Sequence, residues 1–277
     1  MGVEEKTGLA RRKPFYGYYA LGRFHIITLL WTALGILIAA FLWRPAGVAI
    51  LCFGAYMYLT YWLGMYLSRQ SESYDLSWIL DLQGDEYVLD VGCGLGKVTI
   101  GVAKLLKEGK VVGIDIWDRL DIANASTQRA YRNAEIEGVR DRVEFQTGDV
   151  LDIPFPDDTF DLVTSGGVLL AFWSDEVRLK ALSEIHRVLR PGGRFLLMET
   201  LRNLGTLILS PGMAWKFLTR RQCISLLERA GFVNLRSGFR DIMGYFLVEK
   251  PLSSNHPAGR QPTGGSGGSA EGNNEHH

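Results

Sequence analysis

The chain has 277 residues, enough for one good core and an accessory segment but not for two full domains. Its 30 basic and 30 acidic residues cancel, so no global field draws it to nucleic acid. Cys52, Cys93 and Cys223 stand far apart, with no CxxC pair and no histidine partner, which argues against a disulfide framework or a structural zinc and suits a reducing compartment.

Residues 1–23 form a basic segment, with Lys6, Arg11, Arg12, Lys13 and Arg23 against Glu4 and Glu5. Residues 24–43 ("FHIITLLWTALGILIAAFLW") are 20 positions without a formal charge, and residues 46–67 are another 22, separated only by Arg44-Pro45. At about 1.5 Å rise per residue, each run can cross a hydrocarbon core of roughly 30 Å. A signal peptide has a shorter apolar core and no second equal run after it. Buried core helices show a polar stripe, which these runs almost lack. Residues 24–67 therefore read as a two-helix transmembrane hairpin. Arg69 follows the second span and Arg44 alone marks the turn, so the positive-inside bias places the N-terminus and everything after the hairpin in the cytoplasm. Tyr16, Tyr18, Tyr19, Trp62 and Tyr66 would lie near one interface and Trp43 near the other. Gly35, Ala39, Gly47 and Gly54 would let the helices approach closely.

Residues 68–84 are expected to form a connecting or lid helix. From 85 to 250, strands and helices alternate. Strands are expected at 87–91, 110–116, 142–150, 160–166, 194–200, 233–237 and 245–248, and helices at 97–109, 121–137, 175–189 and 220–230. Pro191 and Gly192 stop the 175–189 helix. Such alternation implies an α/β domain with a mostly parallel sheet covered on both faces. The tail, 251–277, is rich in Gly, Ser, Pro and Asn and is expected to be disordered.

The chemistry concentrates in "LDVGCGLG". In an open parallel sheet, ligands bind outside the carboxyl ends of the strands, where a strand turns into its helix. Gly92, Gly94 and Gly96 occupy that turn and let a ligand lie against bare backbone. A diphosphate loop more typically reads GxGxxG; this one reads G-C-G-L-G with Asp90 before it. Asp115, 19 residues past Gly96 at a strand end, is placed to accept hydrogen bonds from a ribose diol. Asp149, in "GDV", can accept from an exocyclic amine.

"LDVGCGLG", "GID", "GDV", "FDLVTSGG" and "LRPGGRFLLME", in this order and spacing, resemble the class I S-adenosylmethionine-dependent methyltransferases over more than half the chain. The resemblance implies a Rossmann-like, seven-stranded sheet behind the hairpin. It implies that the Gly92–Gly96 loop holds the methionine part of S-adenosyl-L-methionine, with Asp90 near the amino group. Asp115 would take the ribose hydroxyls, Ile116 or Trp117 would border the adenine, and Asp149 and Val150 would touch its edge. Ser165 or Gly166 would offer backbone to the methionine amine. Plainer roles stay open: Asp149 as a helix N-cap, Trp117 as packing, Asp161 as a fold residue.

A sulfonium methyl needs alignment more than acid–base help, and a base only if the nucleophile arrives protonated. The domain's His186 lies near a helix end and reads as packing; Glu199 and Tyr245 face the pocket or do not, with equal warrant; no cluster has metal-ligand spacing. Residues 204–221, "LGTLILSPGMAWKFLTRR", mix large apolar side chains with Lys216, Arg220 and Arg221. That suits an interfacial segment, or equally a substrate lid or core helix. Tyr74, Trp78, Trp173 and Trp215 are candidates for the acceptor pocket wall. The leading expectation is a membrane-anchored methyltransferase acting on a lipid or lipophilic small molecule such as a phospholipid headgroup, a quinone precursor, or a lipophilic thiol or phenol. The alternatives are a water-soluble acceptor with the hairpin as anchor only, or a non-catalytic cofactor-binding protein.

Overall fold

The computed structural model describes residues 13–118, 122, 125–210, 213–240 and 243–252. Most of the basic N-terminal segment and nearly all of the expected tail therefore lie outside the described residues.

Two long helices come first, α1 (Leu21–Phe41) and α2 (Arg44–Leu67), with Pro45 in the first turn of α2, where its fixed φ suits a helix start. Both are long and apolar enough to cross a membrane. Unlike core helices they keep most of their surface exposed: Leu29 and Leu59 are each 69 % accessible and Phe41 is 81 %. The two pack closely at Gly47, where an added Cβ would stand 2.4 Å from the Cβ of Ala39. Gly54, also expected at the seam, has its nearest neighbour at 4.0 Å and is not required there.

Residues 68–84 form turns and extended chain rather than the expected helix. Asp75 explains part of this: its Oδ1 accepts from both the N–H and the hydroxyl of Ser77, a local alternative to helical bonding. The Tyr74 N–H meanwhile pairs with the Lys97 carbonyl.

The α/β domain then runs β1 (Tyr87–Val91), α3 (Lys97–Ala103), β2 (Lys110–Asp115), α4 (Thr127–Ile136), β3 (Val143–Thr147), β4 (Phe160–Gly166), α5 (Asp175–Val188), β5 (Leu189–Glu199), α6 (Leu204–Leu209), α7 (Arg220–Arg229), β6 (Val233–Arg240) and β7 (Met243–Glu249). The seven strands are ordered β3-β2-β1-β4-β5-β7-β6. All neighbours are parallel except β7, which runs antiparallel to β5 and β6. This is the mostly parallel Rossmann-like α/β sheet expected.

Apolar side chains alternate between two layers because both sheet faces are covered. One joins Val88, Val111 and Leu196 to α3 and α4; the other joins Leu89, Val163 and Leu197 to α5 and α7. Ser126 starts α4 by accepting from the Arg129 N–H, later than expected, and α5 ends at Val188, just before Arg190-Pro191. The strand order reverses between β1 and β4, so the crevice for a ligand lies at their carboxyl ends.

Contacts among the described residues fasten the hairpin and its flanking segments to this domain. Tyr16 is almost fully buried, and its hydroxyl donates to Glu137 after α4. The buried Lys97 amine, at the start of α3, donates to the carbonyls of Ser68 (2.5 Å) and Arg69 (3.2 Å), just past the C-terminus of α2, where a cation is favoured. On the far side of the sheet, the Tyr56 hydroxyl of α2 donates to the Ile208 carbonyl of α6 at 2.5 Å.

Candidate functional site

The β1–α3 turn takes the shape its three glycines allow. Gly92, Gly94 and Gly96 have φ of 68°, 51° and 87°, in the left-handed region that side chains with a Cβ avoid. A Cβ on Gly92 would also stand 2.2 Å from Val168 Cγ2, so the turn backbone packs directly against the Val168 side chain after β4.

Asp115, at the end of β2, reaches across to this turn. Its Oδ2 accepts from the Gly94 N–H at 2.8 Å and its Oδ1 from the Trp117 N–H at 2.7 Å. An ionised carboxylate has about four acceptor positions, so two remain for a diol. Trp117 holds φ 58°, a costly conformation for a bulky residue, and its buried Nε1 has no hydrogen-bond partner among the described residues. Ile116 is largely exposed beside it.

Asp90, expected near the ligand's amino group, lies instead beneath the turn. Only 1 % exposed, it accepts from Thr99 Oγ1 at 2.5 Å and Thr164 Oγ1 at 2.8 Å. Burial pushes its carboxyl up to about 7, although both hydroxyls favour the ionised form. Its place is that of a brace joining β1, α3 and β4. Ser165 and Gly166 end β4 beside Val91, and the buried Ser165 hydroxyl has no partner among the described residues. Gly167 follows with open space where a Cβ would be. Asp149 is exposed and makes a local turn with the Leu151 N–H rather than capping a helix. Val150 is buried in the layer with Val112 and Ile114, a packing position rather than an exposed edge.

Asp161 and His186 are fold residues. Asp161 sits at the start of β4, away from the crevice, accepts from the Tyr87 N–H and pairs with Arg190. His186 packs on Phe232 with ring centroids 5.1 Å apart, and burial holds its imidazole below the usual range. Glu199 does not face a pocket: 1 % exposed, it accepts from the Leu169 N–H at 2.7 Å and so fixes the post-β4 segment. Among the described residues, no group of three or more His, Cys, Asp or Glu side chains is arranged to hold a metal.

The four aromatic wall candidates do not converge. Tyr74 donates to Met243 Sδ, and Trp78 stacks edge-on against Tyr245 at 4.7 Å; both pack on the layer that covers α3. Trp173 and Trp215 pair with each other 5.3 Å apart, beside Phe172, which packs on the opposite layer.

Sequence patterns missed the segment before α1. Residues 13–19 cross the crevice: the Asn133 amide of α4 brackets Phe15, accepting its N–H and donating to its carbonyl, and also donates to the Leu95 carbonyl in the glycine turn. Tyr19 bridges to Ile122, and its carbonyl accepts from Tyr61 of α2. Tyr19 keeps 38 % of its surface exposed. Burial raises that phenol well above its ordinary value, with Tyr74, Asp90 and Asp115 adding to the effect. Tyr19 thus roofs the Asp115 carboxylate, and Arg23 pairs with Asp118 just beyond, at 2.9 Å. The local hint was the run "FYGYY" beside an apolar helix long enough to cross a membrane.

Residues 88–193 match the methyltransferase domain family. The demethylmenaquinone methyltransferase of Symbiobacterium thermophilum is 37 % identical over 115 residues, 41 % of this chain and 42 % of that protein. That of Lactiplantibacillus plantarum is 37 % identical over 139 residues, 50 % and 54 % of the two chains. The chloroplastic 2-phytyl-1,4-beta-naphthoquinone methyltransferase of Arabidopsis thaliana is 34 % identical over 125 residues, 45 % of each. The chain thus spans about half the length of the curated relatives it matches. Among solved structures, a SAM-dependent methyltransferase from Methanosarcina mazei aligns with a TM-score of 0.50 at 22 % identity, covering 62 % of this chain and 95 % of that one. Human N-acetylserotonin methyltransferase, in complex with SAM, aligns with a TM-score of 0.50 at 24 % identity, covering 62 % and 50 %. Both share the fold.

Proposed function

We propose that the methyltransferase domain carried by this chain uses S-adenosyl-L-methionine to methylate a lipid or lipophilic small molecule at a membrane that the hairpin spans, with the N-terminus and the domain on the cytoplasmic side. One observation carries the lipophilic reading: the roof of the cofactor crevice is the base of the hairpin. Residues 13–19 run directly into α1, and Tyr19 is held by Tyr61 of α2. A mouth built this way sits at the lipid surface. The quinone methyltransferases among the relatives point to the same class of acceptor.

The residues present fit the cofactor. The glycine turn offers bare backbone, Asp115 retains acceptor positions for ribose hydroxyls, and Ile116 and Trp117 flank the place for adenine, with Asp149 close to its edge. The orphaned Ser165 hydroxyl at the end of β4 is a partner for the methionine amine, with Gly166 backbone beside it. When bound, the cofactor would supply an electrophilic methyl group for in-line transfer to the acceptor atom, with S-adenosyl-L-homocysteine as the leaving group. The chain's own part is to orient and to exclude water: Tyr19 lies beside Asp115, and Glu199 fixes the strand-end segment opposite through the Leu169 N–H.

The test uses full-length protein in detergent with methyl-labelled cofactor, a total lipid extract in one tube and an aqueous metabolite extract in another. Label entering the organic phase, and lost in Asp115→Ala, is the expected result. Label confined to the aqueous phase overturns the lipophilic acceptor, and cofactor binding without transfer to either extract overturns the activity.

A further inference from the structure

A cavity of about 140 Å³ opens between the segments that follow β4 and β5. Its described lining residues include Trp173, Trp215, Arg178, Arg202, Lys216 and Gln222, with three cations and no acid among them. Trp173 and Trp215 are 68 % and 59 % exposed, unusual for two tryptophans in contact. Arg178 is committed to structure: it donates to the Leu169 and Phe172 carbonyls and pairs with Asp175. Arg202 reaches Gln222 at 3.5 Å from an otherwise exposed position, and Lys216 Nζ stands 4.0 Å above the Trp173 ring.

The surroundings indicate where this cavity faces. Met213, two residues before Trp215, lies with Leu209 and Ser210 against Phe24, Met57, Thr60 and Tyr61 of the hairpin. Short helix α6, bonded to Tyr56, leaves Leu204, Leu207 and Ile208 exposed beside it. Apolar helix, paired tryptophans and cations thus follow one another outward from the hairpin, the order of hydrocarbon, interface and headgroup layers.

We propose that the Trp173–Trp215 cavity binds the phosphate of an anionic phospholipid headgroup and clamps the domain against the bilayer. The inference rests on the reading of the hairpin as membrane-embedded. The ligand is an anion: an ammonium headgroup would use the open aromatic faces, but Lys216 already covers Trp173 and Arg202 repels a second cation. The volume is that of roughly four to five waters at about 30 Å³ each, enough for a phosphate and its ester oxygens but not for an acyl chain. The lipid is the source because the cavity adjoins α6 and the hairpin.

The experiment is native mass spectrometry of full-length protein from mixed micelles containing equal phosphatidylglycerol and phosphatidylcholine, for the wild type and Arg202→Gln/Lys216→Gln. The wild type should retain phosphatidylglycerol preferentially. The double variant should lose about 25-fold of that preference, at about fivefold per cation near a lipid surface, while still binding S-adenosylhomocysteine. Equal retention of the two lipids, or an unchanged preference in the variant, overturns the proposal. Displacement of the lipid by millimolar inorganic phosphate overturns the lipid as source. Alkaline carbonate extraction of membranes reports the hairpin separately: release of wild-type protein would refute the spanning hairpin whatever lipid is retained.

Discussion

Asp115→Asn is the substitution that most directly probes the crevice. The carboxylate accepts two backbone N–H groups, from Gly94 at 2.8 Å and Trp117 at 2.7 Å. Asparagine has one carbonyl and one amide nitrogen, so in either orientation its NH₂ meets one of those N–H donors. Hydrogen bonds to a charged group contribute about 1.5–3 kcal/mol. Loss of one on the protein side and weakening of those to a ribose diol should therefore reduce cofactor affinity by about ten- to 150-fold, at about 1.4 kcal/mol per tenfold. Calorimetric titration of detergent-purified protein with S-adenosylhomocysteine measures this, with the exposed Asp141→Asn as control and circular dichroism to check folding. Binding within about twofold of wild type in a folded Asp115→Asn protein would refute the placement of the ribose and the turn geometry behind it.

Other consequences follow from the same contacts. Tyr19→Ala removes the roof while disturbing little of the core; cofactor affinity should fall at least about tenfold, read by the same titration, with little change in melting temperature. Tyr16→Ala removes a nearly fully buried ring and its bond to Glu137. The cost is about 3–5 kcal/mol, a fall of roughly 6–20 °C by scanning calorimetry, whereas an N-terminal segment that merely tethers would show no shift. Burial raises Glu199 from 4.5 to about 8, so between those values the folded state keeps a proton that the unfolded state has released. Its contribution to stability is then full below about 4.5 and lost as pH rises through about 8. Glu199→Gln should flatten the decline of melting temperature across that window, leaving the part due to Asp90, which titrates near 7.

The contacts also change what removing the hairpin would mean. Deleting residues 1–67 would take away Tyr16 from the core, Tyr19 from the crevice and the helix end that Lys97 meets. Lost activity in such a protein would report damage to the crevice as much as separation from lipid.

The sequence by itself determined what depends on near neighbours. Strand–helix alternation, the helix stop before Arg190-Pro191 and two apolar runs long enough to span a bilayer are periodic or local signals. They recur as β1 to β7, α5, α1 and α2. The glycine turn was legible because only glycine takes left-handed φ at little cost, and three alternate glycines after a strand have few other uses. Tertiary structure decided what depends on residues far apart in the chain. Tyr16 meets Glu137 across 121 positions and Tyr56 meets Ile208 across 152, contacts with no periodicity to betray them. The direction of Asp90 was likewise undecided by its motif. It turns inward because Thr99 and Thr164 supply two hydroxyls beneath the strand end, and no pattern within "LDVGCGLG" encodes residue 164. The four aromatics proposed as one wall were separated for the same reason: sequence fixes the kind of side chain, while the sheet face on which it lands is settled by how the layers close.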